Sequence, residues 1–340
     1  MKAIKQLLLA AALGFAAAAT AQEVVLKIHH FLPPQATIQA QVFNPWCEKI
    51  GKESGGRIKC QIYPAMQLGG TPVQLYDQAR DGVVDVVWTL PGNTAGRFPR
   101  VEVFELPFIM TNAEATSKAY WDYVQANAPD EFKETHVVAL HVHGPGMFHA
   151  TSKFVKSPAD LRGMKVRGPT RQITKMLGAL GATPVGMPLP QIPDALSKGT
   201  IDACVIPWEV VPSIKVDELT KFHTEFPANG LALYTTTFVM AMNKPKYESL
   251  PPDLKKVIDA NSGRDTSGWL GKTQQGNDPN GRKVSVEKGG QIYTLSDAEA
   301  QPFHKVAAPI DDDWVADMDK RGFSGKTLIE SARSLIKKYS

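Results

Sequence analysis

Arg167, Trp208 and Glu209 are the residues whose type and placement promise chemistry in this chain. Arg167 ends the stretch Leu161-Arg162-Gly163-Met164-Lys165-Val166-Arg167, whose period-2 pattern puts Met164 and Val166 on one face of a short strand and Lys165 and Arg167 on the other. A guanidinium stays charged at any relevant pH and offers a planar fork of donors that matches a carboxylate. Two readings of Arg167 are open: a site for an anionic ligand, or a pairing with a surface acid, which contributes little. Trp208 and Glu209 follow Pro207 at the end of the run 201–206, which reads as a buried strand. Glu209 is either a site acid or an idle charge at a helix N-terminus, where the dipole favours it.

A further set of aromatics falls at the carboxyl ends of predicted strands: Phe31, Trp88, Phe148 and again Trp208. Each reads either as core or as a rigid wall that buries the apolar part of a ligand. His141 and His143, two apart in a strand, share a face, and His149 follows in the next strand, whereas His29 and His30 cannot share one. No third ligand stands at a recognisable offset, so hydrogen-bonded histidines are expected, with no metal and no cofactor. The chain carries no Gly-x-Ser-x-Gly elbow, no His-Glu-x-x-His, no phosphate-cradling Gly-x-x-x-x-Gly-Lys and no dinucleotide fingerprint. Scattered catalytic groups leave no such trace, so an exported two-domain α/β hydrolase or lyase acting on a small organic acid stands as the alternative to a receptor.

The elements that must position these residues read as α/β. After the strand ending at Arg167 comes a helix over 170–180, a proline-rich break at 184–193, a short helix at 194–198 and the strand 201–206. Upstream, Val24–His30 is a β-branched strand, 38–54 a helix, 58–63 a strand, 71–80 a helix and 83–89 a strand. This alternation predicts a parallel, βαβ-built sheet. Open α/β sheets bind ligands beyond the carboxyl ends of their strands, the level assigned to Arg167 and Trp208. Downstream, a β-rich run at 231–242 is expected, then a helix from 254 to about 287 weakened by glycines, a strand at 291–295 and two final helices.

At 340 residues, 43% hydrophobic and 21% charged, the chain is too long for one core and too ordinary in composition to be disordered. Lys2 and Lys5 precede the apolar run 7–19, and Ala19-Thr20-Ala21 supplies small residues where a signal peptidase reads them, so cleavage after Ala21 and a soluble periplasmic product are expected. Removing residues 1–21, which hold two lysines and no acid, takes the net charge from +4 to +2. Such a small, interspersed excess argues against nucleic acid as a partner. Among three cysteines, Cys47 and Cys60 are either bridged or two buried thiols, and Cys204 is unpaired in both cases.

Several segments in order carry a resemblance: Tyr63-Pro64, Gln67-Leu68-Gly69, Asp81-Gly82, Asp85 and Phe104-Glu105-Leu106-Pro107-Phe108 in the first half. In the second half they are the Leu161 to Arg167 stretch, Gly181-Ala182-Thr183-Pro184, Ala195-Leu196 and Gly199-Thr200-Ile201-Asp202. The mature chain resembles the substrate-binding proteins of tripartite ATP-independent periplasmic (TRAP) transporters. That resemblance implies a two-domain periplasmic solute-binding fold with crossing strands and a long C-terminal helical region. The expected division is 22–145 for the first α/β domain, 146–232 for the second, and 233–340 for a hinge-crossing strand and helices packing on both. It further implies closure on a small organic acid whose carboxylate Arg167 holds, with delivery to integral-membrane permease subunits; a monomer is expected.

Where sugar-acid-binding members carry a second arginine and an asparagine, this chain is similar to them in outline but has Phe148 and Ile206, and Leu189 and Phe31 are also apolar. A polyhydroxylated ligand would leave hydroxyls unsatisfied at about 1–3 kcal/mol each. The expected ligand is therefore a compact monocarboxylate with an apolar body, a branched 2-hydroxy or 2-oxo acid first and a small aromatic acid next. Arg167, Trp208, Phe31, Trp88, Phe148, Leu189 and Glu209 form the expected site.

Overall fold

The computed structural model describes residues 23–228 and 230–340, so the expected signal segment 1–21 lies outside the described residues. Eleven strands are described: β1 (Val24–His30), β2 (Ile58–Tyr63), β3 (Val86–Thr89), β4 (Thr135–Val142), β5 (Met147–Ala150), β6 (Lys165–Gly168), β7 (Thr183–Gly186), β8 (Ala203–Ile206), β9 (Phe222–Glu225), β10 (Thr237–Asn243) and β11 (Gln291–Thr294). They form two sheets, one ordered β2-β1-β3-β10-β4 and the other β11-β9-β5-β8-β6-β7. Each sheet is the heart of one lobe. The β-branched β1 fits the middle of the first, with Leu26 and Ile28 wholly buried.

The sheets are mixed rather than parallel. β10 runs antiparallel to both β3 and β4, and β5 antiparallel to both β8 and β9. The reason is connectivity: these strands enter from the other lobe, not through a βαβ crossover, so no right-handed crossover fixes their direction. The chain leaves the first sheet after β4, returns to it with β10, and crosses again to reach β11. Only Thr237–Asn243 of the β-rich run is a strand. The residues before it lie extended between the lobes, where Leu233 accepts from the Phe108 amide at 3.3 Å and Tyr234 from the Gly146 amide at 3.0 Å.

The single helix expected from 254 is three: Pro252–Ala260, Arg264–Gly276 and Asp278–Glu287. Gly263, at φ +95°, makes the first break, a conformation that side chains rarely adopt. The glycines further along serve packing. A Cβ on Gly271 would lie 2.3 Å from Ser117 Oγ, so the helix Ala113–Asn127 of the first lobe can approach closely. A Cβ on Gly281 would lie 2.0 Å from the Trp208 carbonyl oxygen in the second lobe. The helices flanking Asn277 thus form a bent spine, one half seated on each lobe. Three C-terminal helices follow β11, Asp297–Ala307, Pro309–Lys320 and Gly325–Tyr339, with Ser296 and Glu299 forming a capping box at the first.

Cys47 and Cys60 are joined by a disulfide with Cα atoms 5.9 Å apart, which decides between the two readings of that pair, and Cys204 is a buried free thiol. The lobes also meet directly. Arg171, at the start of the helix Arg171–Ala179, donates to both oxygens of buried Glu102 at 2.6 and 2.8 Å, and Gln172 adds a third bond at 2.8 Å.

Candidate functional site

β6 and β8 lie side by side and parallel, with Arg167 opposite Cys204. Beyond their carboxyl ends, facing the first lobe, is a cleft of about 490 Å³, counting the open solvent at its mouth. The first lobe contributes Phe31, Trp88 and Phe238, and the second Arg167, Leu189 and Glu209. Phe31 stacks on Trp88 at 5.0 Å and 16°, and Trp88 on Phe238 at 4.5 Å and 5°, so three near-parallel rings make one wall. The Trp88 indole N–H donates to His141 Nε2 at 2.7 Å, which fixes the ring and leaves its apolar surface for packing.

Arg167 is 2% exposed. Nε donates to the Met187 carbonyl at 3.0 Å and Nη1 to the Val205 carbonyl at 3.4 Å, so two backbone oxygens hold the fork in place. Among the described residues no carboxylate pairs with it. Burial lowers its pKa, with Tyr234 and Cys204 offsetting this in part. Guanidinium nevertheless remains protonated, so the protein holds a desolvated cation without a counterion. An uncompensated buried charge costs several kcal/mol, and an anion entering the cleft removes that cost. The surface-acid reading of Arg167 therefore fails.

Glu209 is wholly inside the protein, and burial, opposed by the nearby Thr37 hydroxyl and by Gln274, raises its carboxyl to about 7. Its backbone N–H donates to Asp278 at 2.9 Å, anchoring the turn that aims its side chain. The idle helix-cap reading does not describe a carboxyl buried in a cleft wall. His143 also lines the cleft, with Nδ1 bonded to the Gly144 carbonyl. That carbonyl can only accept, so Nδ1 carries the proton and Nε2 keeps a lone pair. Burial holds His143 down at about 4, with nearby Arg167 adding to the effect, so the ring is neutral.

Two expected residues are elsewhere. Trp208 does not line this cleft; its indole packs edge-on to His149 at 4.8 Å and donates to Glu225 at 2.8 Å, beside a separate cavity. The strand end fixed its level along the sheet, but the tight turn Trp208–Val210 sends Trp208 and Glu209 in different directions. Phe148 is core, packed near Phe303 at 6.4 Å. It pairs in register with Val205, whereas Arg167 pairs with Cys204, so alternation places Phe148 on the face opposite Arg167. Sequence reasoning missed Tyr234, Thr236, Phe238 and Gln274 as lining residues. Tyr234 and Phe238 left a signal, as aromatics in the strand-like run 231–242.

The other histidines are structural. His149 Nδ1 and His223 Nδ1 are 2.8 Å apart, and His149 Nε2 meets the Ile206 carbonyl at 3.1 Å. Among the described residues no group of three or more His, Cys, Asp or Glu is placed to hold a metal ion.

Two lobes joined by repeated crossings, with a buried cation and an aromatic wall facing each other across the gap, define a receptor for a small anion. The sequence matches the family "DctP: Bacterial extracellular solute-binding protein, family 7" over residues 28–317, and the chain belongs to that family. A TRAP solute-binding protein of Rhodoferax ferrireducens, solved with copurified benzoate, is 61% identical, with TM-score 0.92 over 93% of this chain and 98% of the other. A marine-metagenome TRAP solute-binding protein specific for aromatic acids, solved with 3-hydroxybenzoate, is 50% identical, with TM-score 0.92 over 94% and 99%. A Bordetella bronchiseptica relative bound to (R)- and (S)-mandelate is 28% identical, with TM-score 0.85 over 93% and 100%. This protein is thus a TRAP-type solute receptor, not an enzyme, and the hydrolase or lyase alternative is set aside.

Proposed function

We propose that this protein is exported with cleavage after Ala21, captures a small aromatic monocarboxylate in the periplasm and delivers it as a monomer to TRAP permease subunits. Arg167 takes the carboxylate, Tyr234 borders the same guanidinium, and the ring packs against Phe31, Trp88, Phe238 and Leu189. One observation carries the reading: Arg167 is a buried cation with no acidic partner among the described residues, facing a wall of stacked rings. The relatives solved with benzoate and with 3-hydroxybenzoate support the aromatic class over the branched 2-hydroxy or 2-oxo acid expected from the sequence. Flat rings gain more from an offset stack than a branched aliphatic body does, by about 0.5–1.5 kcal/mol per aromatic pair. Closure joins the sheet of 22–145 to that of 146–232 around the spine at Asn277, and the ligand stabilises the closed form only, shifting a pre-existing equilibrium.

Mass spectrometry of ligand released from denatured protein, with a thermal-shift panel of aromatic acids, branched hydroxy and oxo acids, uronates and dicarboxylates, tests this. An aromatic acid should be released, and aromatic acids should stabilise most. Stabilisation by branched acids alone restores the earlier ligand class, and by uronates or dicarboxylates alone refutes the apolar cleft.

A further inference from the structure

The cleft is lined by polar groups besides Arg167. Glu209 Oε2 is buried without a hydrogen-bond partner, and so is Gln274 Oε1; both residues line the cleft. Gln274 Nε2 donates to Glu209 Oε1 at 3.3 Å, which ties the two side chains together and leaves their outer oxygens open. The Thr37 hydroxyl beside them accepts from Asn277 at 2.7 Å but makes no bond to Oε2. Buried polar atoms in native proteins are almost always paired, so two adjacent orphan acceptors in a ligand cleft mark a place for a donor.

We infer that Glu209 and Gln274 form a hydroxyl-recognising end of the cleft, selecting aromatic acids whose ring carries an O–H remote from the carboxylate. The inference rests on the aromatic-monocarboxylate reading above. Arg167 offers donors only and suits the carboxylate; Glu209 and Gln274 offer acceptors and suit a hydroxyl. No ion pair or hydrogen bond joins Arg167 to Glu209, although both are buried in one cleft. An ortho or α hydroxyl stays beside the carboxylate at the Arg167 end, so the matching group is a meta or para ring hydroxyl. Either protonation state of Glu209 serves. As a carboxylate, Oε2 accepts the ligand O–H; as an acid it donates to the ligand oxygen, whose own hydrogen then reaches Gln274 Oε1.

Calorimetry on the purified receptor, its ligand first exchanged out by dialysis, compares benzoate with 2-, 3- and 4-hydroxybenzoate and the 3- and 4-methoxy ethers. The 3- or 4-hydroxy acid should bind at least tenfold tighter than benzoate, the 2-hydroxy acid should gain no such advantage, and the matching ether, which cannot donate, should bind more weakly than the phenol. In Glu209→Leu, and independently in Gln274→Leu, the ratio of benzoate to hydroxybenzoate Kd should fall towards one. Equal affinity within twofold for benzoate and all hydroxybenzoates would overturn this inference, with water filling that end, and leave the aromatic reading intact. No binding of any aromatic acid would overturn both.

Discussion

Two cavities in this molecule are built from the same side chains and differ in how those chains are paired. In the second lobe, Trp208 donates to Glu225 at 2.8 Å, and Arg282 binds the same carboxylate at 2.7 and 3.3 Å. Thr294 completes it at 2.9 Å, so tryptophan, arginine and acid consume one another's hydrogen-bonding capacity. In the cleft a tryptophan, an arginine and an acid recur as Trp88, Arg167 and Glu209, but Trp88 bonds to a histidine, Arg167 pairs with no acid among the described residues, and Glu209 keeps an open oxygen. Residue type alone does not mark a site. Unspent donors and acceptors do where they line a ligand cleft; orphan atoms such as Thr116 Oγ1 and Tyr120 Oη in the core mark none.

The difference breaks first at Arg167. Arg167→Ala should cost about 2–5 kcal/mol of ligand affinity, and Arg167→Lys a substantial part of that, since a point charge cannot reproduce the paired fork. Calorimetry returning wild-type affinity for the alanine variant would remove Arg167 from the site.

Next in size is the pH response of Glu209. Its folded value, about 7, lies above its ordinary 4.5, so the stability linked to its proton is intact below pH 4.5 and is lost as pH rises towards 7. That loss amounts to at most roughly 3 kcal/mol. Glu209→Gln has no proton to lose, and its Tm should gain on wild type between pH 5 and pH 8. Parallel Tm curves across that range would show that the carboxyl is not held in its neutral form.

The smallest effect belongs to the satisfied cavity. Trp208→Phe removes one N–H while Arg282 and Thr294 still hold Glu225, so a stability loss of about 1 kcal/mol is expected, with ligand affinity within twofold of wild type. A tenfold loss of affinity would return Trp208 to the ligand site and erase the distinction between the cavities.

What was legible in the sequence follows this division. Period-2 and helical patterns located β6, the helix after it and β8, and the placement of Arg167 at a strand's carboxyl end put it at the right level of the sheet. Level is a one-dimensional property that spacing carries. Face and turn direction are not, so Phe148 and Trp208 were assigned to the cleft and lie outside it. Tyr234, Phe238 and Gln274 return to the cleft from elements some 70–110 positions after Arg167, along a crossing strand and a broken helix that no local pattern connects to it. The antiparallel insertion of β10 was equally invisible, because strand direction within a sheet is set by where the chain comes from.

That insertion governs the order in which the molecule can be made. β10 lies between β3 and β4, so the first sheet is interrupted until residues 237–243 are available. Synthesis therefore delivers every strand of the second sheet except β11 before the first sheet can close, and the N-terminal strands wait with unpaired edges. Contacts that span so much chain form slowly. The first sheet is thus completed by the pairing of Thr89 with Val239, 150 positions apart, after most of the second sheet has been made.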